Sequence, residues 1–183
     1  MTNGKRSLHS RGRARARRNA LLFTLFRISP SRGSRVLVET LGRKFDGVPS
    51  CDYFSAYRKY MGEVDVRVQF CLAHLIRDVK FLTTLDGPTK RYGERLLGRL
   101  RVLFRIIHRR ESMAPDRFAC ALETQRKLIV HVATHPPWGK EARNMAERFR
   151  RHGEAYFRFI TTPGVKPTNN LAEQALRFVV IDR

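Results

Sequence analysis

Carboxylates are the side chains that metal-dependent chemistry needs, and two of those in this sequence stand where a predicted helix begins. Asp52 ends the short segment GVPSCD, and Glu173 lies in NNLAEQALR, much further along the chain. Hard cations such as Mg²⁺ prefer oxygen ligands, and two metals held by carboxylates can activate an attacking water or hydroxyl and stabilise a leaving oxygen. If the fold brings them together, Asp52 and Glu173 could bind a divalent metal.

Each carboxylate also has a structural interpretation. Asp is a favoured helix cap, so Asp52 could cap a helix over residues 53–61. With Asn170 as the cap of the next helix, Glu173 would occupy the capping-box position, and it could also pair with Arg177 one turn further on. A cap and a ligand are compatible, because a helix start fixes the direction of a carboxylate.

A cysteine and a histidine open the segment at residue 71. Cys71 and His74 have the C-x-x-H spacing found in zinc sites, but a closed site needs four ligands, and only Cys51 offers a nearby third. His74 could instead contact a DNA phosphate or a metal-bound water, or lie in the core as a satisfied histidine. The three cysteines, odd in number and widely spaced, exclude a disulfide framework and fit a reducing cytoplasm.

Three further side chains have ambiguous roles. Asn169 and Asn170 lie shortly before Glu173 and could orient its carboxylate or contact DNA. An equal alternative is that they only form the loop and cap the helix that follows. Trp138 follows two prolines and could stack on a base or anchor a loop.

The charge of the chain indicates a polyanionic partner. It has 37 Lys and Arg against 16 Asp and Glu, a formal net charge of +21, which favours nucleic acid. Residues 5–18 are basic without a single acid, as in a disordered tail or a nucleic-acid arm. The alternative is that the charge merely covers solvent-facing helices. No apolar run approaches the roughly 18 residues of a membrane span, so we expect no membrane partner.

Hydrophobic periodicity predicts an α/β arrangement in the first half of the chain. The predicted strands are 21–29, 47–52 and 64–71, and the predicted helices between and after them are 31–45, 52–62 and 72–85. The strand at 64–71 has the cleanest signal, because Val64, Val66, Val68 and Phe70 alternate with polar residues. This order favours a sheet with right-handed crossovers.

The second half of the chain has a helical period. Residues 86–162 show no strand signal and predict three helices, over 93–110, 116–134 and 139–160. A loop is predicted at 161–170, and a further helix begins at 171.

Three segments, in this order, resemble the transposases of the insertion sequence 66 family: FDGVPSCDYFSAYRKY (45–60), VQFCLAHLIRDVKFL (68–82) and PGVKPTNNLAEQALRFVVIDR (163–183). The resemblance covers nearly all of residues 21–183. It implies an α/β fold in which an incomplete ribonuclease-H-like core carries an all-helical insertion before the Glu-bearing helix. The implied parts are a basic, disordered or out-of-frame tail (1–20), part of the core (21–85), the helical insertion (86–162) and the return to the core (163–183).

The resemblance also assigns roles to residues. The second Asp of the family maps onto Asp52 and its Glu onto Glu173, which would hold Mg²⁺ or Mn²⁺. Cys71 and His74 belong to the C-x-A-H signature of the family and would pack near the active site. His74, Asn169, Asn170 and Arg177 would contact DNA or support the ligands.

The first Asp of the family lies shortly before a segment resembling NGKR, which here stands at residues 3–6 with only Met1 and Thr2 before it. We therefore expect that the third metal ligand is absent, that the chain is truncated at both ends, and that residues 1–20 arose from a damaged reading frame. The expected function is that of a part of a DDE transposase catalytic domain, inactive alone, so its status as an enzyme stays open.

The implied partners are DNA and an intact transposase, and the implied location is the bacterial cytoplasm, in association with the nucleoid. One alternative is a non-catalytic basic protein that binds nucleic acid through charge alone. A second is a translated remnant that does not fold stably.

Overall fold

A computed structural model describes residues 31, 33–170, 173 and 174 of the chain. The predicted strand at 21–29, the tail at 1–20 and Arg177 lie outside the described residues. The helices are α1 (Ser34–Leu41), α2 (Ser55–Val64), α3 (Leu72–Thr83), α4 (Gly87–His108), α5 (Pro115–Thr134), α6 (Lys140–His152) and α7 (Arg158–Thr161). The strands are β1 (Ser50–Cys51) and β2 (Gln69–Phe70), and two 3₁₀ turns span Arg110–Ser112 and Gly153–Tyr156.

The two strands form a parallel pair with α2 between them in the chain, so the predicted strand–helix–strand unit is present. Ser50 pairs with Gln69 and Cys51 with Phe70. The paired segments are shorter than the predicted strands at 47–52 and 64–71. Val64 still belongs to α2, and the next residue, Asp65, has a left-handed backbone that ends the helix. The described part of the chain is therefore mostly helical, with a small sheet, and is compatible with the predicted α/β class.

Gln69 departs from the predicted alternation of the strand. The pattern places it on the solvent side with Asp65 and Arg67, yet it is fully buried. Its side-chain amide donates to the carbonyls of Phe70 (2.8 Å) and Tyr156 (3.0 Å), and its oxygen accepts the N–H of Phe159 (2.9 Å). Three hydrogen bonds compensate the burial of this polar group, and they join β2 to the end of the helical region.

The helical second half has helices in the three segments that the periodicity predicts, but their bounds differ. Helix α4 begins earlier, at Gly87, because Pro88 suits a first helical turn. Helix α6 ends at His152, and the predicted continuation to residue 160 is divided between a 3₁₀ turn and α7. A Cβ at Gly93 would lie 2.8 Å from the Cβ of Leu82, so this glycine permits the close packing of α3 against α4.

One continuous apolar core joins the strand pair to the helices. It runs from Val68 and Phe70 through Leu75 to Leu100 and Ile129, all of them fully buried. No helix in the described part of the chain is long and apolar enough to cross a membrane. The core fixes β1, β2 and α3 relative to one another, and these elements position the site described next.

Candidate functional site

Asp52 lies directly after β1, where the chain turns towards α2. Its Oδ1 accepts the backbone N–H of Phe54 at 3.2 Å, which closes a turn before the helix begins at Ser55. Phe54, not Asp52, stands at the N-cap position, and no described side chain caps this helix end. The interpretation of Asp52 as a helix cap is therefore wrong, and the turn orients its carboxylate instead.

Glu173 lies in the first turns of a helix that begins at Asn170. Its backbone N–H donates to the carbonyl of Asn169 at 3.2 Å, which makes Asn169 the residue before the helix. Glu173 then stands one residue beyond the capping-box position, so the capping-box interpretation does not hold. Its Oε1 lies 3.4 Å from Nε2 of His74.

Backbone hydrogen bonds bring these segments to one place. The N–H of Cys71 donates to the carbonyl of Cys51 (2.7 Å), which aligns the ends of β1 and β2. The N–H of Leu72 donates to the carbonyl of Pro167 (2.9 Å), which ties the start of α3 to the loop before Glu173. Asp52 and His74 both follow the carboxyl ends of parallel strands, the edge of an α/β sheet at which ligands bind.

A cavity of about 500 Å³ collects the predicted site residues. Asp52, His74, Asn169 and Glu173 all line it, together with apolar side chains of α1 and α2. Asn170, the remaining described candidate, is exposed in the first turn of the Glu173 helix. The fold thus brings together four of the residues that the sequence singled out.

Two residues that line this cavity each have a buried polar atom without a partner. Nδ1 of His74 and Oδ1 of Asn169 have no hydrogen-bond partner among the described residues. A buried polar atom without a partner is unfavourable and rare, so a ligand, an ion or a water that reached these atoms would relieve a cost.

The polar side chains at this cavity are of the type that binds a hard cation, but they are few. Two carboxylates and the orphaned amide oxygen of Asn169 are the oxygen ligands that Mg²⁺ and Mn²⁺ prefer. Within the described residues, however, no group of three or more His, Cys, Asp and Glu side chains is arranged to hold a metal. The described residues at this cavity thus supply two carboxylates.

The cysteines do not complete a zinc site. Cys51 and Cys71 are both buried, and burial, followed by the nearby charges of Asp52 and Cys71, raises the pKa of the Cys51 thiol far above its usual range. Burial likewise raises the pKa of Tyr57 in the same cavity wall. Both thiols are packed among buried apolar side chains, and among the described residues no further ligands are arranged beside them to complete a metal site.

Tyr53, the residue after Asp52, lines a second cavity of about 600 Å³. Arg148 lies over the Tyr53 ring at 3.9 Å, bonds Asp78 Oδ2 through Nη1 at 2.7 Å, and bonds the Tyr156 hydroxyl through Nε. Its side chain is only 10% exposed. The sequence did not reveal this group, because Arg148 resembles the other cations of α6 and two of its partners, Tyr53 and Asp78, are far away in the chain.

Comparison with known proteins gives one match. A family model described as Transposase IS66 family matches residues 6–183, which include most of the Arg-rich N-terminal stretch. Neither a curated protein nor a solved structure matches the chain.

Proposed function

The chain belongs to the IS66 family of DDE transposases, and from this premise we propose that Asp52 and Glu173 are two of the three carboxylates of a divalent-metal site for DNA cleavage and strand transfer. In this proposal the parallel β1–β2 pair is part of a ribonuclease-H-like core. Helices α4 to α6 are then an insertion between the second and third carboxylates.

The observation that carries the proposal is the convergence of distant residues on one cavity. Asp52 follows β1, His74 lies in α3, and Glu173 lies beyond the whole helical region, yet all three line the same 500 Å³ space. Two carboxylates at one cavity favour a cation there. The basic side chain among the described lining residues is His74, whose Nε2 lies 3.4 Å from Oε1 of Glu173, and a divalent metal ion would supply the further positive charge.

The residues would divide the work as follows. Asp52 and Glu173 would hold the metal, which when bound supplies Lewis-acid activation of a nucleophile and charge stabilisation at phosphate. The Asn169 oxygen would be a neutral ligand or would hold a metal-bound water. His74 would orient the Glu173 carboxylate through its Nε2, as outer-shell groups do at metal sites.

A two-metal site needs a carboxylate that bridges the two ions and others that flank them, and two carboxylates are too few for both roles. We therefore propose that this chain alone does not catalyse strand transfer. We expect that supercoiled plasmid incubated with the full chain and Mg²⁺ or Mn²⁺ remains uncut. Nicking that disappears in the Asp52→Asn variant would overturn this part of the proposal and would show that the chain completes its own site.

Metal binding itself is tested with Mn²⁺, whose affinity for the full chain can be followed by the relaxation of water protons. Asp52→Asn and Glu173→Gln should each weaken Mn²⁺ binding about tenfold or more, because each removes a charged ligand. Glu63→Gln is a matched control, since Glu63 is as exposed as Glu173 (40% and 39%) and lies on α2 away from the cavity lining. Equal Mn²⁺ affinity in all four proteins would refute the metal site.

A second function, binding of nucleic acid without catalysis, is favoured by the net charge of +21. It predicts that the double variant Asp52→Asn, Glu173→Gln binds duplex DNA at least as tightly as the original chain, because two negative charges are removed. The affinity should also fall steeply with salt in both proteins, as counterion release requires. A double variant that loses DNA binding would instead place the metal cavity at the centre of DNA recognition.

A further inference from the structure

One large aromatic ring of this protein stands almost wholly in solvent. Trp138 is 90% exposed, whereas Tyr60, Tyr92, Tyr156 and Phe70 are 2% exposed or less. It is the only tryptophan of the chain. A ring of this size that lies outside the core does not stabilise the fold by packing, and it is available to contact a partner.

The backbone on both sides of Trp138 is restricted. Pro136 and Pro137 restrict the backbone before it, and Gly139 after it has a φ of 145°, a conformation that other residues rarely adopt. A Cβ at Gly139 would lie 2.8 Å from Oγ1 of Thr89, so the loop also packs directly on α4. Since the loop is already restricted, a partner that stacks on Trp138 would order little additional backbone.

Exposed basic residues stand close to Trp138 in the chain and next to the residue that its loop contacts. Lys140 and Arg143, in the first turn of α6, are exposed, and Lys90 is exposed next to the Thr89 contact on α4. Glu141, the acid of the same turn, lines the 600 Å³ cavity instead. A protein partner or a second copy of the chain would need an apolar patch around the ring, and the exposed cations argue against one.

We propose that Trp138 is a stacking residue for an unpaired nucleobase of DNA, with Lys140 and Arg143 contacting the phosphates on either side. Every base has a π-face, so stacking on Trp138 does not depend on the DNA sequence. The two cations attract the phosphates of the DNA backbone. The inference rests on the proposed function, because it takes DNA as the ligand. It adds a second contact, far from Asp52 in the chain and independent of metal.

The test uses the emission of Trp138, which reports on this position alone because the chain has no other tryptophan. The full chain is titrated in EDTA at low salt with a single-stranded oligothymidine, and separately with an abasic oligomer of equal length and charge. The proposal predicts strong quenching by oligothymidine and little by the abasic oligomer. Because the Trp138 variants have no tryptophan, their affinities are measured by the fluorescence anisotropy of a labelled oligothymidine. The proposal predicts about tenfold weaker binding for Trp138→Ala, with affinity largely retained in Trp138→Phe.

Phe81→Ala is the matched control, since Phe81, at 55%, is the next most exposed large apolar side chain among the described residues and lies on α3. It should leave oligothymidine affinity unchanged. Equal quenching by both oligomers, or intact binding of oligothymidine to Trp138→Ala, would overturn the proposal. Concentration-dependent quenching without DNA would do so too, by assigning the ring to a second copy of the chain. Because EDTA removes metal, none of these outcomes depends on the Asp52 site.

Discussion

The cavities lined by the neighbouring residues Asp52 and Tyr53 differ in polar character. In the Asp52 cavity two acids face one space, and buried atoms of His74 and Asn169 have no described partner. In the Tyr53 cavity Arg148 is bonded to Asp78 and Tyr156 and stacked on the Tyr53 ring, with only its Nη2 left without a described partner. This contrast supports the proposal that the first cavity takes a ligand, whereas the contacts of Arg148 in the second join separate elements of the fold.

The largest effect expected from this comparison is on stability, at Arg148. Arg148→Ala leaves Asp78 without its close partner and removes the stacked cation. We expect the free energy of unfolding to fall by about 2–3 kcal/mol, less than for a fully buried pair because the Asp78 side chain is 38% exposed. Urea denaturation followed by circular dichroism measures the loss.

Arg151→Ala is the control for this prediction. Arg151 also lines the Tyr53 cavity, but it is 69% exposed and pairs only with Glu147 on the same helix. An exposed pair of this kind contributes about 0.3–0.5 kcal/mol. If the two variants lose equal stability, the structural role assigned to the Arg148 cluster is wrong.

The next largest effect is expected at Gln69, which links β2 to the 3₁₀ turn and α7. Gln69→Leu keeps the shape but leaves the Phe159 N–H and the Tyr156 carbonyl without this partner. We expect a loss of about 2 kcal/mol, the penalty for unsatisfied buried groups. Hydrogen exchange at the Phe159 amide gives a local readout, and unchanged protection there would contradict the role of the glutamine as a link.

A smaller effect is expected from pH at His152, beside the Tyr53 cavity. Burial, and then the charges of Arg58, Arg151 and Arg148, lower the pKa of His152 below its ordinary value. The unfolded chain therefore binds this proton more readily, so His152 lowers stability as pH falls through its ordinary pKa of about 6.5. Thermal melts between pH 7.5 and 5.5 should show a shallower decline in His152→Phe, which keeps the ring contact with Tyr53. Parallel declines in both proteins would contradict this direction of the pH dependence.

The smallest effect on stability is expected at the carboxylates themselves. Without metal, Asp52→Asn and Glu173→Gln should change the free energy of unfolding by about 0.5 kcal/mol or less, because each amide can keep the neighbouring hydrogen bond and mutual repulsion is relieved. Urea melts in EDTA measure this. A loss as large as that of Arg148→Ala would show that both cavities are structural.

Secondary structure was predicted better from the sequence than the tertiary contacts of individual side chains were. The stripe of Leu96, Leu100 and Leu103 indicated α4, because helical burial repeats with a local period. The same reasoning misjudged Gln69, since its burial depends on Tyr156 and Phe159, about 90 residues away. Arg148 was missed for a similar reason. Hydrophobic periodicity indicates which face of a helix or strand a residue occupies, but it does not indicate which distant residues that face contacts.

The candidate site was predicted from residue identity and family resemblance rather than from pattern. The sequence singles out Asp52 and Glu173 without knowledge of the fold, and the structure places them in one cavity with His74 and Asn169. Their local roles were less predictable. Both cap interpretations were wrong, because each depended on a helix boundary that differed by one or more residues.

The central claim, that Asp52 and Glu173 hold the same metal ion, is tested most directly by a double-mutant cycle on Mn²⁺ affinity. The original chain, Asp52→Asn, Glu173→Gln and the double variant are compared at equal pH and ionic strength. If both groups bind one ion, the double variant should lose far less affinity than the two single losses added together. Losses that add in full, or no loss in either single variant, would contradict the claim.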